Sequence, residues 1–591
     1  MESYRGTHQV ERIDDVAMQT RDGTTLVADI YRPHGSGPWP VLVRRTPYGK
    51  RLNDLAAAFN EAHFFASHGY VVVVQDTRGR FASEGEWYPL IYEGLDGYDT
   101  VEWAAGLDGA AGRVGTFGQS YGCIIQYLTA AQRPPHLVTC VPVSGNCLSF
   151  QNYWYHHGVL ELGWMLSYFV NMAEDVLRSQ GREKEIAALD DLKVDPAIRF
   201  SPLKEEVVRH LPINDWIERL GDGAPFLQDV LYHSVDGPYW WANDLRRELH
   251  NIDVPMLHIG SWYDINTWDT PLLFNGLKDH AMSDYAQSHQ ALFMGPWAHL
   301  LPYSQPTSGG SGDIDFGPEA ELFLPGMYLR WFDHFLKGDG QGLPVPPVRL
   351  FVMGQNRWRD ETQWPPAGVV PTAWYLHSGG TANTLDGDGT LSTERPGDES
   401  PDHYTYDPAD PVPTRGGHYV GGGVADQRPN QTRPDVLVFT SAPLEQDVEI
   451  TGPVTAELFV STSAVDTDFV VWLSDVRPDG YCQNLCEAIV RGRFHRSCTT
   501  PGRLEPDRVY LFEIDMWNLS HLVRAGYRLR VHVTSSDFPR WERNLNNGTR
   551  LGYGQEFQVA AQTVYHNSEH PSRIMLPVLP RHDRRPTSSK G

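Results

Sequence analysis

The chain is poor in cysteine, poor in cationic side chains and free of long apolar runs, and each shortage excludes something. Its 591 residues include six cysteines, Cys123, Cys140, Cys147, Cys482, Cys486 and Cys498. Their spacings make no CxxC pair and no zinc pattern, so a disulfide scaffold is set aside and reduced, partly buried thiols are expected. Lys and Arg number 49 against 74 Asp and Glu, a net charge of −25 at pH 7. That surplus repels nucleic acid and anionic membrane surfaces, and neither is expected as a partner. No segment reaches the ~18 consecutive apolar residues of a membrane span. The opening "MESYRGTHQVERIDD" lacks a basic region leading into an apolar one, so a cytoplasmic protein without a signal peptide is expected. Without a secretory signal, the sequons at Asn430, Asn518 and Asn547 carry little weight.

Metal and cofactor patterns are missing too. "DGDGTLSTE" at 386–394 lacks the third oxygen ligand and the spacing of a calcium loop. His156 and His157 are adjacent and cannot line one helical face together. No glycine-rich loop carries the lysine of a phosphate site. No metal and no cofactor are expected.

What is present describes a globular chain of several domains. Residues are 41% apolar, with 18 Trp, 27 Tyr and 23 Phe, and the length suits about three or four cores. From 1 to 148, apolar runs such as "PVLV" (40–43), "YVVVVQ" (70–75) and "LVTCVPV" (137–143) alternate with helical patterns. Runs apolar on both faces are what a central parallel sheet requires. Residues 149–249 are charged, aromatic and helix-forming, an apparent insertion. Between 250 and 355 the sheet pattern resumes with "VPMLHIG" (254–260) and "QALFMG" (290–295). From 356 to 591, short alternating runs such as "DFVVWLSDV" and "YRLRVHVTS" between Gly, Pro, Asp and Asn turns predict a β sandwich or jelly roll, and "RHDRRPTSSKG" reads as a disordered basic tail.

Within the first sheet, Gly118-Gln119-Ser120-Tyr121-Gly122 spells G-x-S-x-G between a strand-like "RVGTFG" and a helix-like "CIIQYLTAAQ". That places Ser120 on the sharp strand-to-helix turn of a nucleophile elbow. A serine needs a base, and the base an orienting carboxylate. "HIGSWYD" ends at Asp264 and "LFMGPWAH" at His299, each just past a late apolar run and in the order Ser, acid, His. For the oxyanion of acyl transfer, the backbone N–H of Tyr121 is one donor. No HGGG-type loop supplies a second, but "RRTPYGK" after the "VLV" strand offers the Tyr48 hydroxyl.

Taken together, "RTPYGK", "QDTRGRFASEGEW", "GTFGQSYG", "GSWYD", "GPWAH" and "PVTAELFVSTSAVDTDF" closely resemble the bacterial cocaine esterase family, related to α-amino acid ester hydrolases and Xaa-Pro dipeptidyl peptidases. The match runs over nearly the whole chain and is weakest in the helical insertion. It implies an α/β fold: an α/β-hydrolase domain, an inserted helical cap and a carboxyl-terminal β jelly roll. By motif it implies Ser120 as nucleophile, His299 as base, Asp264 as orienter, and Tyr48 with the Tyr121 amide as oxyanion hole. Asp76, Arg78 and Gly79 of "QDTRG" are implied to be structural, with buried ion pairing. Trp154 and Trp164 resemble positions that line the acyl pocket, and ordinary helix packing explains them about as well. The chain departs from the usual G-x-S-Y-x-G, because Cys123 stands at the final glycine. It also has Ile265 and Asn266 where relatives that bind α-amino groups carry carboxylates.

The sequence thus predicts a serine esterase for small-molecule esters, favouring neutral, bulky or aromatic acyl groups at a pocket including Trp154, Trp164, Ile265 and Asn266. Xaa-Pro dipeptide release and α-amino acid ester hydrolysis or acyl transfer are the enzymatic alternatives. From another class, the alternative is an inactive hydrolase scaffold bearing a carbohydrate-binding jelly roll. Oligomeric state is open, a homodimer being one option.

Overall fold

The structure, a computed structural model, describes residues 6–52, 60–148, 150–198, 200–299, 312–338 and 340–580. The basic tail at 581–591 lies outside the described residues. Among them, ten strands form the first sheet: β1 Val10–Gln19, β2 Thr25–Pro33, β3 Trp39–Thr46, β4 Val71–Asp76, β5 Ala110–Gln119, β6 Leu137–Val143, β7 Met256–Tyr263, β8 Gln290–Ala298, β9 Val348–Val352 and β10 Arg357–Glu361. Their spatial order is β1-β2-β4-β3-β5-β6-β7-β8-β9-β10. Every pairing from β4 through β9 is parallel. A parallel sheet covered on both faces must be apolar throughout, and every residue of β4, β7 and β8 is buried.

The last strand departs from the reading of the sequence, since β10 lies beyond residue 355 and still pairs antiparallel with β9. Its alternating "RWRDE" has the period of a half-exposed edge strand, with Arg349 of β9 paired to Asp360 at 2.6 Å. That pattern resembles the strands that follow.

Between β6 and β7 the chain leaves the sheet. The segment opens with a small hairpin, Tyr155–His156 against Val159–Leu160, followed by one long helix, Leu162–Ser179. The helices after it are short, among them Glu183–Asp190, Asp215–Leu220 and Phe226–Tyr232. Gly221, Gly223 and Pro225 break the run between the last two.

After β10 an eleven-stranded sheet system forms the jelly roll. Its long members are Val448–Thr462 and Tyr510–Val523, paired antiparallel, and Asp468–Val476 lies between Cys482–Arg491 and Arg528–Thr534. The jelly roll docks on the cap through charge as well as apolar contact: buried Arg540 reaches Glu161 at 3.2 Å and also pairs with Glu487. The α/β fold with helical cap and jelly roll is therefore the fold of this chain. Among the described residues, no helix is long and apolar enough to cross a membrane.

Candidate active site

The carboxyl ends of neighbouring strands converge on one place. Tyr48 follows β3, Ser120 follows β5, Ser144 follows β6, Asp264 follows β7 and His299 follows β8. In open α/β sheets this rim is where ligands bind, because loops there can be shaped without disturbing the core.

Ser120 caps the helix Tyr121–Ala131 with φ 59° and ψ −121°, a strained conformation for a residue with a Cβ. Its backbone N–H donates to the Val143 carbonyl at 3.0 Å, which fixes the turn to β6. Gly118 has φ 154°, and a Cβ there would lie 2.9 Å from the Gly122 carbonyl oxygen, so the elbow requires glycine at that position. Gly122 is under less pressure, since a Cβ there would meet Arg45 O at an ordinary 3.5 Å. Cys123, at the family's usual final glycine, is fully buried, with Sγ 3.3 Å from where a Cβ on Gly145 would sit.

Ser120, Asp264 and His299, separated by up to 179 positions, form one hydrogen-bonded line. Ser120 Oγ lies 2.9 Å from His299 Nε2, and His299 Nδ1 lies 3.0 Å from Asp264 Oδ1. Burial opposes ionisation of Asp264. The charge and hydrogen bond of His299, the Asn266 N–H and the Ser144 hydroxyl outweigh it and hold the carboxyl below its ordinary pKa. An ionised acceptor at Nδ1 keeps the ring proton there and frees Nε2 to take the serine proton. Gln119 Nε2 donates to the His299 carbonyl at 2.8 Å and ties the histidine loop to the elbow. Beneath the site, His258 of β7 meets Tyr127 Oη of the elbow helix at 2.6 Å and Gln290 Oε1 of β8 at 2.9 Å. Burial pushes its pKa down to about 4.

The Tyr48 loop is held from two sides. Asp76 accepts the Lys50 N–H at 2.6 Å and pairs with its ammonium at 3.3 Å, while Arg80 Nε donates to the Pro47 carbonyl at 2.8 Å. Arg80 also reaches the cap helix, donating to Met172 O and pairing with Asp175. Arg78 binds Asp96 at 2.6 Å, and a Cβ on Gly79 would collide with the Trp87 backbone at 2.1 Å. The Tyr48 ring stands edge-on to Tyr121 and Phe200, with centroids 6.3 and 6.0 Å away. Tyr121 turns its side chain inward, where its hydroxyl donates to Glu93 at 2.8 Å and accepts from the Leu90 N–H at 3.0 Å. As the first helical residue, Tyr121 has a backbone N–H with no intrahelical acceptor.

Trp154 and Trp164 stack on each other at 5.1 Å, and through Tyr168 and Phe200 their cluster continues to Tyr48. Ile265 is buried beside Asp264. Asn266 sits in a hydrogen-bonded network around Asp264. Its backbone N–H donates to Asp264 Oδ1 at 2.8 Å, its side-chain NH2 donates to Ser144 O and Oγ at 3.1 Å each, and its Oδ1 accepts from Asn146 Nδ2 at 3.0 Å. The reading of the sequence missed Ser144, Asn146 and Arg80. Ser144 had a usable signal, since it directly follows the apolar run "LVTCVPV" just as Asp264 and His299 follow theirs.

The loop that carries Asp264 is also gripped by the jelly roll. Tyr263 Oη donates to the Asn484 carbonyl at 2.8 Å, Asn518 Nδ2 donates to Thr267 O at 3.1 Å, and Trp268 Nε1 donates to Asp515 Oδ2 at 2.7 Å.

With this geometry in place, the kinships of the chain are informative. The X-Pro dipeptidyl-peptidase (S15 family) pattern matches residues 22–301, and the X-Pro dipeptidyl-peptidase C-terminal non-catalytic domain matches 344–575. A cocaine esterase of Rhodococcus sp. (strain MB1 Bresler) is 37% identical over 590 residues, covering 96% of this chain and 98% of its own. A putative serine esterase of Mycobacterium bovis is 25% identical over 98% of this chain and 96% of its own. Among solved structures, an α-amino acid ester hydrolase superposes with a TM-score of 0.79 at 24% identity over 97% of both chains, a likeness of fold. The chain is a serine hydrolase, and it belongs to the cocaine esterase family, kin to the S15 X-Pro dipeptidyl peptidases.

Proposed function

We propose that this protein hydrolyses carboxylic esters of neutral, bulky or aromatic acids through an acyl-enzyme. The observation that carries the reading is the unbroken line from Ser120 Oγ through both ring nitrogens of His299 to buried Asp264. Ser120 attacks the ester carbonyl while His299 Nε2 takes its proton, and Asp264 stabilises the imidazolium that results. The Tyr121 N–H and the Tyr48 hydroxyl donate to the developing oxyanion. His299 returns the proton to the leaving alcohol, and water repeats the sequence to release the acid.

The acyl preference rests on the surroundings. Stacked Trp154 and Trp164 offer flat apolar surface. The next carboxyl along the acid loop, Asp269, is fully buried, and burial pushes its pKa up to about 7, which makes it a poor counter-ion for an ammonium group. The relative named cocaine esterase supports esters over peptides.

A fluorophosphonate probe should label the wild-type protein at Ser120 and leave Ser120→Ala unlabelled. A panel of aryl, alkyl and aminoacyl esters sharing one leaving group, plus one Xaa-Pro anilide, should show the highest kcat/KM for neutral aromatic acyl groups. The panel is run at about 0.5 M salt, which screens long-range attraction by the net charge of −25. A persistent preference for the aminoacyl ester or the anilide would overturn the acyl assignment.

A further inference from the structure

Ser144 has no part in the mechanism just described, yet it occupies an unusual place beside it. It is the first residue after β6, the strand lying between the nucleophile strand β5 and the acid strand β7. It is wholly buried, its backbone N–H donates to the Ile259 carbonyl of β7 at 2.7 Å, and its φ is 60°. A residue with a Cβ is disfavoured there and glycine is at ease, so local backbone preference does not account for a serine.

Its hydroxyl does. Ser144 Oγ donates to Asp264 Oδ2 at 2.7 Å, the carboxylate oxygen that His299 does not use. The same oxygen lies 3.1 Å from His299 Nδ1. Its single proton is directed at the carboxylate, so the oxygen can only accept toward the ring. That requires the hydrogen to be on Nδ1 and leaves Nε2, facing Ser120, as the base. Asn266 Nδ2 donates to the hydroxyl at 3.1 Å and turns it toward Asp264, and Asn146 fixes Asn266 in turn.

We infer that Ser144 is a positioning residue of the catalytic machinery, one that reinforces the His299 tautomer set by Asp264 and fixes the plane of the Asp264 carboxylate. The inference rests on the proposed roles of Ser120, Asp264 and His299. When His299 takes the serine proton, the cation faces two acceptors at Nδ1, Asp264 Oδ1 and Ser144 Oγ. The gain belongs to the transition state, so its loss lowers kcat and leaves KM in place.

Ser144→Gly removes the hydroxyl while relaxing the backbone, and Ser144→Ala removes it while keeping the Cβ. The two together separate the hydrogen bond from strain and packing. In a variant that keeps its melting transition, kcat should fall about tenfold to a hundredfold, the range for one lost hydrogen bond to a charged group, with KM unchanged. The rate constant of fluorophosphonate inactivation should fall by a similar factor. In an Asp264→Asn background the further loss from Ser144→Gly should shrink to within about threefold, because the two act as a unit. Inactivation at the wild-type rate by either folded variant would overturn the inference, as would full additivity with Asp264→Asn, which marks a role in folding alone. The probe does not depend on which ester is the substrate. Failure of wild type to react would therefore strike the serine-hydrolase machinery itself, and normal wild-type reaction with undiminished variants would strike only Ser144.

Discussion

The two halves of the site are built by different means. The elbow is local: strand β5, the turn at Ser120 and the helix Tyr121–Ala131 lie within 22 consecutive residues, 110–131, and a tight glycine contact shapes the turn. The acid half is assembled from afar. Asp264 is oriented by Ser144 from β6, by its own loop through Asn266, and by Asn484, Asp515 and Asn518 of the jelly roll gripping its neighbours. A nucleophile must be held against one bond, and a sharp turn suffices for that. A carboxylate that orients a base needs donors on both oxygens, and no single loop supplies them.

The comparison can be broken most severely at the elbow. Ser120→Ala should abolish ester hydrolysis, with kcat falling by several orders of magnitude while the melting temperature stays near wild type. Near-normal turnover by a folded Ser120→Ala protein would remove the elbow from the chemistry. Next in size is Tyr48→Phe, which should cost on the order of 10²-fold in kcat with little change in KM, as for one oxyanion donor. A rise in KM with kcat held would make Tyr48 a substrate contact.

The grip of the jelly roll is tested more gently. Asp515→Ala takes away the acceptor of the Trp268 indole N–H, leaving both halves chemically whole. A loosened acid loop should lower kcat by up to about tenfold, the scale of one hydrogen bond, without shifting the acyl preference. An unchanged kcat would show that the Asp515 contact is dispensable to the acid loop.

The smallest effect belongs to His258, which joins the halves from beneath. Its folded pKa of about 4 lies under the ordinary histidine value of 6.5 because burial disfavours the cation. The unfolded chain therefore takes up a proton first as pH falls. The stability this group contributes is whole above 6.5 and is lost as pH drops through 6.5 toward 4. Melting curves of His258→Gln should show a shallower acid slope across that window, by up to one proton, with activity at pH 7 retained. Identical slopes would place the acid sensitivity elsewhere.

How much of this was legible depended on distance along the chain. The elbow could be read because its motif, strand and helix are contiguous. Asp264 and His299 could be found because each directly follows a buried apolar strand, a pattern that survives without knowing the sheet order. Ser144 follows such a strand too, but its meaning arises only when β6 is seen between β5 and β7. Asn266 was read as pocket lining because a neutral side chain after the acid contrasts with a carboxylate; its hydrogen bonds to Ser144 and Asn146, 120 or more positions away, had no local signal. Strand β10 went unread for another reason, since a charged edge strand of one sheet looks locally like a strand of the next.

Arg80 gives the cap a mechanical meaning. One guanidinium holds Pro47, next to Tyr48, and also the cap helix at Met172 and Asp175. It acts as a tie rod, so the helix Leu162–Ser179 cannot swing outward as a free lid without pulling on the loop that carries the Tyr48 hydroxyl. Movement of that helix and placement of the Tyr48 loop are thereby linked, whereas the cap beyond residue 180 is tied to the jelly roll instead, with Arg543 donating to the Arg209 carbonyl and Arg550 to the Tyr232 carbonyl, each at 2.7 Å.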